Sequence, residues 1–98
     1  MLSKIPFDLD RIEEEDLDRQ ILRIAIIAEL DAINLYEQLA SLTEDEALRA
    51  ILLDVAREEK THVGEFMALL LKKDEEQVEE LEEGRAEVEE ILEEEEES

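Results

Sequence analysis

The sequence has no cysteine and no tryptophan, and only two glycines, one proline and three other aromatic residues in 98 positions. Without cysteine there is neither a disulfide framework nor a thiolate site, so any metal must bind oxygen and imidazole. Gly and Pro are too scarce to punctuate turns, and the alternating pattern of strands is missing, which leaves an all-α chain. The longest apolar run, Phe66 to Leu71, is far below the roughly 20 residues of a membrane span. The acidic N-terminal segment has no basic start or apolar core of a secretory signal. Basic residues are also scarce: 10 Lys and Arg against 32 Asp and Glu give a net charge of -22. Nucleic acid and anionic membrane surfaces are therefore excluded as partners, and few aromatics remain for base stacking. Such a field concentrates cations, and it equally describes a well-solvated surface.

What is present is helical periodicity over most of the chain. Residues 1–9, around Pro6, read as a leader. Asp10 as N-cap with Glu13 at N3 starts a helix expected over about 10–42. Thr43 and Glu46 form a capping-box pair, predicting a tight reversal and a second helix over about 44–73 that ends on Lys72 and Lys73. Asp74 to Gln77 restarts the pattern for a shorter helix over 75–92, with Val78, Leu81, Val88 and Ile91 or Leu92 on one stripe. Gly84 inside it costs about 1 kcal/mol relative to alanine and marks a place for a bend or fraying. The Glu93–Glu97 run repels itself, so 93–98 is expected to be a solvated tail. The whole, 1–98, reads as a single half-bundle domain: an antiparallel hairpin of helices roughly 40 Å long plus a third helix. A chain this short buries little core alone, which points to self-association.

The two long helices carry 3-4 stripes. In the first, Leu22, Ala25, Glu29, Ala32, Tyr36 and Leu39 align; in the second, Leu48, Leu52, Val55, Glu59, His62, Phe66 and Leu69. Two carboxylates and the only histidine thus interrupt apolar seams. Burying unpaired carboxylates costs several kcal/mol, comparable with the net stability of a small domain, and a divalent cation would offset it. The alternative is a satisfied core histidine with the glutamates leaning to solvent. In an antiparallel pair Glu29 lies level with the Glu59–His62 turn, so the three can share an ion. Di-iron carboxylate bundles use a Glu from each of two helices and a Glu-x-x-His from each of the other two, and this chain holds half of that set. Two copies about a two-fold axis would complete it and cover a second apolar face of Ile26, Ile27, Leu30 and Ile33. Tyr36 either reaches this site through its hydroxyl or fills the core. Asp31 and Glu65 flank the ligands, as a metal entry route or as plain surface acids.

The segments Ala28-Glu29-Leu30-Asp31-Ala32-Ile33-Asn34-Leu35-Tyr36-Glu37 and Arg57-Glu58-Glu59-Lys60-Thr61-His62 resemble the encapsulated ferritins, which are associated with encapsulin nanocompartments. The resemblance covers about residues 10–92. It implies a ferritin-like four-helix bundle completed by dimerisation, with two iron ions per dimer interface. It also implies a ferroxidase that oxidises Fe(II) with dioxygen and feeds mineralisation inside an encapsulin shell in the cytoplasm. On that resemblance Glu59 bridges the irons, Glu29 and His62 are terminal ligands, and dimers form a ring, a decamer. Free-standing relatives carry a C-terminal shell-docking peptide, whereas Glu93–Ser98 has no apolar docking segment. The expectation is therefore a domain excised from a longer shell fusion, or another targeting route. Two other classes use the same residues: a rubrerythrin-like peroxidase, disfavoured by the missing cysteines, and a structural helical oligomer with a non-redox metal such as zinc.

Overall fold

The computed structural model describes residues 13–97, which form three helices and no strand. They are α1 (Glu14–Leu42), α2 (Glu46–Lys73) and α3 (Glu75–Glu97). The leader and Asp10 lie outside the described residues. Glu13, expected at N3, is instead the extended N-cap residue of α1 and makes no side-chain cap; the helix takes hold just before the packed pattern begins at Leu17. At the other end of the chain, the 93–97 glutamates expected as a tail continue α3, which also runs unbroken through Gly84. Glutamate is a good helix former, and Arg85 bonds to Glu82 and Glu89 one turn either side.

The α1–α2 reversal takes three residues, and its chemistry differs from a Thr43–Glu46 box. Thr43 is the extended C-cap residue of α1, and Asp45 is the N-cap of α2. Asp45 Oδ1 accepts from the Leu48 amide at 3.0 Å, while Thr43 Oγ1 accepts from the Asp45 amide at 3.1 Å. A carboxylate is the stronger cap and its charge suits the helix N-terminus, so Asp45 takes the position. The unpaired carbonyls ending α1 are met by Arg49, which donates through Nε to Ala40 at 3.1 Å and through Nη2 to Thr43.

The hairpin buries Leu22, Ile26, Ile33 and Ala40 of α1 and Ala56 and Leu70 of α2. Leu22, Ile26 and Leu70 form one cluster, packed by Val63, Phe66 and Met67. Ile26 and Ile33 therefore belong inside the hairpin and not on the face expected to be covered by a second copy. The expected stripes correspondingly come out rotated by about one residue. Leu39, Leu48 and Leu69 are exposed, and Ala25, Ala32 and Val55 are only partly covered. The internal seam runs 22-26-29-33-40 in α1, with Glu29 still on it.

At the open end, Asp74 joins the three helices. It is nearly buried, caps α3 by accepting from the Gln77 amide at 3.0 Å, and receives Arg23 Nη2 of α1 at 2.9 Å. Beside it Lys73 Nζ lies 3.7 Å from Asp18. Past this junction α3 buries no residue and leaves Val78, Leu81, Val88, Ile91 and Leu92 exposed. The radius of gyration is 17.6 Å, against about 13 Å for a compact domain of this length, so the single chain is extended.

Candidate metal centre

Glu29 stands midway along α1 on its internal seam, where the preceding and following seam residues, Ile26 and Ile33, are both buried. Glu59 and His62 lie three residues apart on α2 and so share a face. The antiparallel pairing brings the three together: one ligand atom from each lies within 4.8 Å of the others, and all three are partly buried. His62 Nδ1 is 3.4 Å from Glu29 Oε2 and 3.4 Å from Glu59 Oε2. The side chains of Glu29 and Glu59 are 20% and 18% exposed, whereas His62 is 43% exposed, so the cluster opens on its histidine side.

Glu29 Oε2 is buried and makes no hydrogen bond. A buried acceptor left unsatisfied costs about 1–3 kcal/mol, more when charged, and the folded chain offers it only the imidazole edge. Two donors each about 2.1 Å from a shared cation stand roughly 3–3.4 Å apart, which the carboxylate–imidazole spacings match. The donor set of hard oxygens with one imidazole suits first-row divalent metals.

The other expected site residues fall outside this group. Tyr36 is partly buried on α1, two turns beyond Glu29. Asp31 is partly buried but, two residues from Glu29, points to another side of α1. Glu65 is exposed one turn beyond His62. Part of the expected stripes lies on an open surface around the cluster: Ala25, Ala32 and Leu39 continue with Ile21, Ala28 and Leu35 at 4-3 spacing beside the internal seam of α1, and Leu48, Val55, His62 and Leu69 share a side of α2 with Ile51, where Glu58 and Glu65 interrupt the apolar repeat. Ile21, Leu39, Leu48, Ile51 and Leu69 are 40–63% exposed, so the cluster sits in an open apolar face. The signal was present as two adjacent apolar heptads on α1.

Over residues 6–96 the sequence matches the family described as EncFtn-like. It is 72% identical over 72 residues to the ferritin-like-encapsulin shell fusion protein of Pyrococcus furiosus, covering 74% of this chain and 21% of that protein. It is 42% identical over 67 residues to the encapsulin nanocompartment cargo protein EncC of Myxococcus xanthus, covering 68% of this chain and 51% of that one. The chain thus spans about a fifth and about half of the length of these relatives. The crystal structure of the encapsulated ferritin domain from Pyrococcus furiosus superposes with a TM-score of 0.79 at 60% identity, over 93% of this chain and 95% of that one.

Proposed function

The chain belongs to the EncFtn-like family and has its ferritin-like helical fold, and from that premise we propose that it is a ferroxidase whose site is shared by two copies. The observation that carries the proposal is the buried Glu29 Oε2, which makes no hydrogen bond, in a Glu29–Glu59–His62 cluster at the edge of an exposed apolar face. Pairing two such faces would bury Ile21, Leu39, Leu48, Ile51 and Leu69 and bring two clusters together. Four carboxylates and two imidazoles would then surround two Fe(II) ions, the substrate, whose four positive charges balance the four carboxylates. Glu59 would hold both ions, and Glu29 and His62 would be terminal ligands from the flanking positions. Two Fe(II) would give one electron each to one dioxygen, which with two protons from water leaves as hydrogen peroxide, and carboxylate oxygens favour the ferric product over the ferrous substrate. Tyr36 hydrogen-bonds at the periphery, and Asp31 and Glu65 lie on the approach of incoming cations.

The relatives' names place them as encapsulin cargo or shell fusion, and we extend this to the present chain: it works in the lumen of a cytoplasmic encapsulin compartment and hands ferric iron to mineralisation there. Its dimers assemble into a ring, a decamer. A structural zinc site or a rubrerythrin-like peroxidase would use the same three residues.

The test is Fe(II) oxidation followed by ferric absorbance after anaerobic loading, for the protein and for Glu59→Ala. The expected result is oxidation well above the buffer rate, reduced at least tenfold in the variant. Oxidation at the buffer rate by the unaltered protein, with zinc retained, would instead establish the structural site.

A further inference from the structure

Without cysteine, the chain has sulfur at two positions, Met1 and Met67, and Met67 holds the only sulfur among the described residues. The ligand set makes no use of it. Met67 follows Glu59 and Val63 at spacings of four, which keeps it on the side of α2 that faces α1. There it packs against buried Leu22, Ile26 and Leu70, beside Val63 and Phe66. Ile26 lies one turn before Glu29 on α1, and His62 lies five residues before Met67 on α2, about 7.5 Å along the helix. The thioether therefore belongs to the apolar layer next to the Glu29–Glu59–His62 cluster.

That layer is not sealed. Met67, Val63 and Phe66 are only partly buried, so solvent reaches the edge of the sulfur. Hydrogen peroxide is small and uncharged, and a surface with a net charge of -22 does not repel it. A thioether takes one oxygen from peroxide, and the sulfoxide formed is polar and chiral where the methionine was apolar and flexible. Inside an apolar cluster such an acceptor has no donor, which disfavours the packed state.

We propose that Met67 is an oxidation site, taking oxygen from peroxide released at the neighbouring metal cluster, and that its sulfoxide loosens the hairpin. The proposal rests on the ferroxidase reading, which supplies the oxidant. In the step itself the sulfur lone pair attacks one peroxide oxygen, the O–O bond breaks, and the other oxygen leaves as water. Sulfur is oxidised by two electrons and peroxide is reduced by two. The sulfoxide then stands among Leu22, Ile26 and Leu70, between the two helices that carry the ligands. Oxidation at Met67 accumulates with turnover, so a chain that has released much peroxide weakens the packing beneath its own site.

The experiment takes the full-length protein through repeated Fe(II) loading and exposure to air. Peptide mass spectrometry reads sulfoxide at Met67 and Met1, and circular dichroism reads thermal unfolding. Two references are treated alongside: Glu59→Ala with the same iron and air, and iron-free protein given hydrogen peroxide alone. The expected Met67-to-Met1 sulfoxide ratio in turnover is at least about threefold that of either reference, because the peroxide is made close by. The oxidised protein should melt about 4 °C or more below the untreated one. Met67→Leu, a swap that conserves volume, should oxidise iron as the parent does and keep its melting temperature through the same cycles. Iron oxidation with a ratio no higher than the references, or an equal fall in melting temperature in Met67→Leu, would overturn this inference and leave the ferroxidase reading standing. Iron oxidation no faster than in buffer would overturn both.

Discussion

In the proposed site Glu29 is the residue that the fold of the single chain explains least. Its neighbours on the seam are buried isoleucines, yet its Oε2 has no hydrogen bond, so the hairpin alone leaves it unsatisfied. The Glu59–His62 pair was legible because i and i+3 on a helix share a face whatever the rest of the molecule does. That Glu29 meets them followed from the equal lengths of two antiparallel helices. Asp31 shows the reverse: close to a ligand in sequence, it points elsewhere because two residues is half a turn. Tyr36 is proposed to contact the site without binding metal, so Tyr36→Phe should keep the iron content of the parent and slow oxidation less than tenfold. Iron content by elemental analysis, read beside the oxidation rate, checks this. Loss of iron from Tyr36→Phe would make the tyrosine a ligand.

Among the helices, element type and order were readable from the chain, and the details at their ends were not. A cap contributes on the order of 1 kcal/mol, and at the α1–α2 reversal several polar residues competed for it. Asp45 prevailed over Thr43, and Arg49 satisfied the carbonyls behind it. The facing of α1 was ambiguous for another reason. Its apolar residues occupy two adjacent heptads, each able to serve as a seam, and only the packing of Ile26 and Ile33 against α2 decides between them. The end of α3 differs from the expected tail because the helix propensity of glutamate outweighs the repulsion of like charges there. The α2–α3 junction carries a titration. The Gln77 amide bond, with Arg23 and Arg19 nearby, holds the Asp74 carboxyl below the ordinary carboxylate range. A depressed carboxylate stabilises the fold fully above its unfolded value of about 3.9 and loses that contribution as pH falls through its folded value. The Gln77 amide resonance should therefore shift with a midpoint below about 3.9 in an NMR titration, and Arg23→Ala should move that midpoint upward. An unchanged midpoint would remove Arg23 from the junction.

As a whole molecule, the single chain is extended and leaves its large apolar residues open on several faces. No helix among the described residues is long and apolar enough to cross a membrane. With a net charge of -22 per chain, association brings like charges together, and the apolar contact and bound cations must offset that repulsion. Metal and pairing should accordingly be linked: a ligand that binds the dimer and not the single chain raises the apparent stability of the dimer. The most direct measurement is native mass spectrometry of the protein loaded anaerobically with Fe(II), before and after chelation. A site shared by two copies predicts dimers, or multiples of them, carrying two irons per pair of chains, and loss of both irons together in Glu29→Ala. Single chains that each hold one iron, with no change in pairing when it is removed, would contradict it.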